Sequence, residues 1–92
     1  MAINSTSSGT LLILGASQYY IPRIKTAESM GLKTVVIDRN RHAEGRQYAS
    51  VFEPVDFSDI ETSIKIARKY EVDGVIPLND YGVPTAAAIC KE

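Results

Sequence analysis

Apolar residues follow two rhythms along this chain. Continuous runs, Leu11-Leu12-Ile13-Leu14 and Val35-Val36-Ile37, alternate with stretches in which apolar positions recur every three or four residues. The first rhythm suits parallel strands covered on both faces, and the second suits helices with one buried stripe. The pattern predicts a first strand at about Thr10–Leu14, a helix opening near Tyr20 or Ile21, and a second strand over residues 33–38. Pro22 stands where a first-turn proline loses no hydrogen bond. Ile21, Ile24, Ala27 and Met30 form the apolar stripe, and Gly31 is a natural left-handed stop.

Residues 39–50 are polar and loop-like. A third strand is expected over 51–55, where Glu53 and Pro54 suit an edge position because proline cannot donate to a ladder. Ser58-Asp59-Ile60-Glu61 has the form of a capping box with Ser58 as cap. The helix behind it is expected to reach about Tyr70 and to bury Ile60, Ile64 and Ala67. A fourth strand follows over 73–78, then the turn Asn79-Asp80-Tyr81-Gly82. A last helix opens at Val83 or Pro84 and carries Ala86, Ala87, Ile89 and Cys90. Right-handed crossovers turn this order into an α/β fold. It is a three-layer, Rossmann-like parallel sheet in strand order 3-2-1-4, with helices on both faces. Residues 1–9 are expected to be a flexible polar tail before one domain spanning 10–92. No glycine or proline follows the last helix, so the polypeptide is expected to continue beyond Glu92.

The bulk numbers narrow the function. Ninety-two residues, 45% apolar and 23% charged, describe one ordinary globular domain with one modest core. A net charge of −1 gives no reason to expect nucleic acid or an anionic membrane as partner. No apolar run approaches the roughly 20 residues of a membrane helix. Residues 1–9 lack the apolar centre of a secretory signal. The single cysteine, Cys90, can form no internal disulfide, which fits a reducing cytoplasm.

In an open parallel sheet the ligand crevice lies beyond the carboxyl ends of the strands, where the winding reverses. Here that point falls between strands one and four. The candidate substrate-binding residues are therefore Gly15, Ala16, Ser17 and Gln18 from one turn and Asn79, Asp80 and Tyr81 from the other. Asp38 and Arg39, at the tip of strand two, flank the same edge. Each has a structural alternative. Gly15 serves the turn's backbone geometry, Asp80 serves as a cap, Asp38 closes the strand, and Tyr19 and Tyr20 act as packing or rim residues. Arg39, Arg41, His42 and Arg46 read as a solvated loop, and His42 has no cysteine near it to suggest a metal site.

A dinucleotide fingerprint asks for glycine at three positions that here hold Gly15, Ser17 and Tyr20. Asp38 lies near the ribose-binding offset of about 20 residues. One glycine and one acid make a small NAD(P)-binding or regulatory module the competing reading, and a purely structural docking domain a third. Ser17 lacks the context of a nucleophile elbow, and Cys90 has no evident base. An acidic pair after strand one, which a phosphoacceptor domain needs, is absent.

Three stretches resemble the N-terminal, pre-ATP-grasp domain of ATP-grasp ligases. They are Leu12-Ile13-Leu14-Gly15-Ala16, the run from Gly31 through Val35-Val36-Ile37-Asp38-Arg39-Asn40, and Val72-Asp73-Gly74-Val75-Ile76-Pro77 with Asp80. Glycinamide ribonucleotide synthetases and the large subunits of carbamoyl-phosphate synthetases are of this type. The resemblance covers about 10–92. Arg41 replaces the family's usual proline and Ser50 its usual aspartate. The resemblance implies a ligase that joins a carboxylate to an amine through an acyl phosphate. ATP and magnesium would be held mainly by the remaining lobes of the parent polypeptide, with none expected on this chain alone. It implies a small-molecule substrate met by Gly15, Ala16, Ser17, Gln18, Asn79, Asp80 and Tyr81, with Asp38 and Arg39 at the edge. No catalytic residue is expected on this chain. A severed domain exposes apolar surface, so self-association into a homodimer is a further expectation.

Overall fold

The computed structural model describes residues 9–77 and 83–91. Four strands, β1 (Thr10–Leu14), β2 (Lys33–Ile37), β3 (Val51–Glu53) and β4 (Gly74–Pro77), form one sheet in the order β3-β2-β1-β4. All three pairings are parallel, and the expected winding is the one observed. Helix α1 (Ile21–Ser29) connects β1 to β2, α2 (Ile60–Lys69) connects β3 to β4, and α3 (Val83–Cys90) follows β4. Two short 3-10 helices, Gln18–Tyr20 and Glu44–Tyr48, interrupt the connections after β1 and β2.

The sheet divides the core in two. Leu12, Leu14, Val35 and Ile37 pack with Ile66 and Ala67 of α2 and Ala86 and Ile89 of α3. Ile13 and Val36 point the other way, into a cluster with Ala16, Ile24 and Ala43. This alternation is the two-residue period of a strand. Because both faces are covered, β1 and β2 must be apolar at every position, which produces the continuous runs in the sequence. Leu12, Ile13, Leu14, Val35, Val36 and Ile37 are all essentially inaccessible, and each contributes about 1.5–3 kcal/mol of burial.

Several details depart from the sequence pattern. Met30 is 69% exposed, because α1 ends at Ser29 and Met30 lies beyond the last full turn. The stripe of α1 therefore rests on Ile24 and Ala27, with Gly31 at φ 83° taking the expected left-handed stop. Helix α2 is capped by Asp59, not Ser58. The Asp59 carboxylate accepts from the Thr62 amide at 3.2 Å and the Thr62 hydroxyl at 2.8 Å, while Ser58 donates to Asp56 through both its amide and its hydroxyl. The buried face is accordingly Ser63, Ile66 and Ala67; Ile60 is exposed and Ile64 half-buried. β3 stops at Glu53, because Pro54 has no N–H with which to continue the ladder. The connection over 39–50 is not merely solvated: it buries Ala43 and Gly45.

At the amino end of β2, the Glu28 carboxylate accepts from the Thr34 hydroxyl and the Ser50 hydroxyl, both at 2.6 Å, and from the Thr34 amide at 3.1 Å. Partial burial pushes this carboxyl up. The hydrogen bonds from Ser50 and Thr34 outweigh that effect and hold it below 4.5. Among the described residues, no helix is long and apolar enough to cross a membrane.

Candidate functional site

β1 and β4 are direct neighbours, and Leu14 lies opposite Pro77 at their carboxyl ends. The chain moves from β1 outward to β2 and β3, then returns past β1 to β4, so the winding reverses between β1 and β4. The switch point is therefore where the sequence places it, and the turn after β1 opens there. Asn79, Asp80 and Tyr81, the other candidates at this edge, lie outside the described residues, as do Leu78 and Gly82.

The β1 turn is held from three sides. The Gly15 amide donates to the Ile37 carbonyl at 2.9 Å. The Ala16 amide donates to Oδ2 of Asp38 at 2.9 Å, and the Ala16 carbonyl accepts from the Gly45 amide at 2.7 Å. Ser17 is extended (φ −69°, ψ 168°) and makes no side-chain cap bond to the 3-10 helix behind it. Ser17 is half-buried, whereas Gln18 and Arg39 are exposed. The fold thus brings Gly15, Ala16, Ser17, Gln18 and Asp38 to one edge, with Arg39 one residue further along.

Asp38 is already engaged. Its Oδ1 accepts from the Asn40 amide at 2.9 Å while Oδ2 holds Ala16. The carboxylate ties the turn after β1 to the turn after β2. Tyr20 contributes in a way the sequence concealed. Gly15 has φ 133°, and a Cβ placed on it would lie 2.8 Å from Cε2 of Tyr20. The aromatic ring therefore rests on the bare glycine. Tyr19, by contrast, is 78% exposed.

A hollow of about 360 Å³ lies beside Asp38 and Arg39, completed by Asp56, Phe57 and Ser58. Oδ1 of Asp56 accepts from the Ser58 amide at 2.9 Å and the Ser58 hydroxyl at 2.8 Å. These bonds, helped by the nearby Arg39 guanidinium, hold the Asp56 carboxyl below 3.8. The Phe57 carbonyl accepts from the buried Thr85 hydroxyl at 2.6 Å, which fastens this loop to α3. Sequence reasoning passed over Asp56 and Phe57 and read Ser58 only as a helix cap. An Asp-x-Ser turn shortly after β3, at the carboxyl edge of the sheet, was the available signal.

Arg41, His42, Glu44, Arg46 and Gln47 of the basic loop line a second, open hollow of about 380 Å³. Arg46 donates to the Arg41 carbonyl at 2.7 Å, and its guanidinium lies over the Phe52 ring, 5.2 Å from the centroid. No three His, Cys, Asp or Glu side chains come together to hold a metal among the described residues.

The sequence model of the ATP-grasp N-terminal domain matches residues 24–92. The chain belongs to the ATP-grasp N-terminal domain family. The match begins within α1, so the β1 turn of this ATP-grasp N-terminal domain is related through its fold. The chain is similar to phosphoribosylglycinamide synthetase from Anaerococcus prevotii at 25% identity and a TM-score of 0.81, covering 94% of this chain and 22% of that one. Its fold is also that of N5-carboxyaminoimidazole synthetase from Staphylococcus aureus, solved with ADP, at 21% identity and a TM-score of 0.78, covering 91% and 22%. A weaker likeness joins it in fold alone to UDP-glucose 4-epimerase from Thermotoga maritima, at 18% identity and a TM-score of 0.63, covering 76% and 24%. Nothing among curated protein sequences matches the chain. The domain spans 22% of the length of each of the two synthetases.

Proposed function

We propose that this chain is the substrate-side N-terminal domain of a cytoplasmic ATP-grasp ligase that joins a carboxylate to an amine, and that it is not catalytic alone. One observation carries the reading. A domain of the ATP-grasp N-terminal family presents the turn Gly15-Ala16-Ser17-Gln18 at the switch point beside β4, where open parallel sheets receive ligands. Within the parent enzyme, Ser17 and Gln18 would offer hydroxyl and amide groups to a small polar substrate. Asn79, Asp80 and Tyr81 would complete the wall from the β4 side, with Arg39 at the rim.

ATP and magnesium are assigned to the remaining lobes of the parent. They would supply the phosphoryl group that activates the carboxylate. This chain's share of the work is to bind and orient the substrate at the switch-point turn. The two engaged oxygens of Asp38 favour a supporting role for that residue over direct contact with the substrate.

The test uses the parent ligase. Ser17→Ala and Gln18→Ala are each expected to raise the KM for the acceptor substrate by about two- to tenfold while leaving the KM for ATP unchanged, since one lost hydrogen bond is worth about 0.5–1.5 kcal/mol. Unchanged acceptor kinetics in both variants would favour a docking domain with no substrate contact. Release of ADP by the isolated 92-residue chain, abolished by Asp80→Ala, would refute the division of labour.

A further inference from the structure

We propose that a groove between α1 and the β1–β4 side of the sheet is the seat of one amphipathic helix of the parent ligase, which brings an acidic side chain to Arg23. The proposal rests on the ligase reading in one respect only, that the domain works inside a longer chain. Strands lie about 4.8 Å apart and a helix with its side chains is about 10–12 Å wide, so one helix covers about two strands. The sheet face that carries Leu12, Leu14, Val35 and Ile37 has two helices on it, α2 and α3. The opposite face has α1, which packs on β2 and on the segment Glu44–Tyr48. Ile76 lies in register with Ile13, so its side chain points to this second face. Over β1 and β4 that face stays open. Leu11 and Ile76 are half-buried there and form the floor of a groove of about 740 Å³.

One wall of the groove is α1 with the residues that lead into it. Tyr19, Pro22, Thr26 and Met30 recur at the three- and four-residue steps of a helix face, and all four are exposed. Ile24 meanwhile faces the core, so α1 carries a second stripe that the fold of this domain leaves uncovered. Tyr19 and Met30 are the two most exposed large apolar side chains among the described residues, and both border this one groove. Apolar surface gathered in this way on a helix and on the sheet beside it marks a place for a partner. The shape selects a helix. The groove follows α1 from Tyr19 to Met30 above a sheet face, where the neighbouring helix of a layered α/β unit packs. The lining selects its chemistry. Among the described residues, Arg23 is the only charged side chain in it. A helix with apolar positions at i, i+3, i+4 and i+7, and one Asp or Glu beside Arg23, complements both the apolar strip and the charge. Its source is the rest of the parent chain. The domain spans 22% of the length of each of the two synthetases, so most of such a chain lies outside it.

Met30 reports on the cover without any substitution, because hydrogen peroxide converts accessible methionine to its sulfoxide, which peptide mass spectrometry counts. Met30 is expected to oxidise at least about tenfold more slowly in the parent ligase than in the 92-residue chain. Arg23→Glu and Thr26→Glu, both at exposed positions, are each expected to speed that oxidation at least about twofold in the parent and to leave it unchanged in the 92-residue chain. Circular dichroism of the 92-residue variants establishes that the fold is kept. Equal oxidation of Met30 in the parent and in the 92-residue chain overturns the proposal. So does protection that neither substitution weakens, since the cover would then lie outside the groove. Protection that disappears when the parent is diluted to a monomer assigns the groove to a second copy, and also overturns it. The acceptor KM does not enter this test, so failure of the substrate-side reading and failure of the helix seat are told apart.

Discussion

Oδ2 of Asp38 accepts the amide of Ala16 at 2.9 Å, across 22 residues of sequence, and this bond joins the ends of the two central strands. The other oxygen takes the Asn40 amide at the same distance. An acid that sequence patterning marks as a ligand group is thereby a brace for the turn that faces the crevice.

Removing that brace has a graded cost. Asp38→Ala is expected to lower unfolding free energy by about 1.5–3 kcal/mol, because charge-assisted bonds to two amides are lost. Asp38→Asn is expected to recover only part of this loss, since its NH₂ group must face one of the two N–H donors. Urea denaturation measures both. Equal stability of Asp38→Asn and the unsubstituted chain would mean that one of the two bonds contributes nothing.

Two glycines with positive φ should respond differently to alanine. At Gly31, φ is 83° and a Cβ would meet nothing within 4 Å, so the expected cost is the conformational one of about 1–2 kcal/mol. Gly15→Ala meets the Tyr20 ring at 2.8 Å in addition, and is expected to cost more and to displace the Tyr20 ring resonances in NMR spectra. A smaller loss at Gly15 than at Gly31 would contradict the packing described here.

Gly45 has an ordinary φ but no room. A Cβ would stand 2.8 Å from the Ala16 carbonyl oxygen and 2.9 Å from Cδ1 of Ile24. Gly45→Ala is expected to destabilise by about 1–3 kcal/mol, as overpacking does. The amide of residue 45, which donates to the Ala16 carbonyl, should exchange with solvent faster than in the unsubstituted chain, which hydrogen exchange would read directly.

Glu28 makes a prediction about pH. Folding depresses its carboxyl below 4.5, so it adds stability above its unfolded value, and that stability drains as pH falls through the folded value. The difference in urea midpoint between the unsubstituted chain and Glu28→Gln should be largest near neutrality and shrink as the pH falls through the ordinary carboxylate range. A difference independent of pH would trace the effect to packing around Thr34 and Ser50 instead.

The sheet was legible because Leu11–Leu14 and Val35–Ile37, as unbroken apolar runs between turn residues, admit few structures other than covered parallel strands. Gly31, Pro22 and Pro54 then punctuated the chain through local stereochemistry that no tertiary contact overrides. Helix ends were harder to read. Ser58 and Asp59 are both good caps, and the Asp56–Ser58 turn decided between them. Of the candidate site, the edge of the sheet and the turn after β1 were legible. Its interior was not: Tyr20 meets Gly15 only because a 3-10 helix folds the chain back, and Gly45 meets Ala16 only across the connection to β3. Neither contact leaves a periodic trace in composition.

The short helical segment Glu44–Tyr48 bears on how chains of this kind can vary in length. Connections between strands and helices ordinarily absorb insertions and deletions. This one cannot do so freely, because Gly45 is seated against Ala16 and Ala43 is buried beside Ile24. An added residue there would lever the crevice-facing bend off the sheet, so evolutionary growth of the domain is expected to bypass that connection.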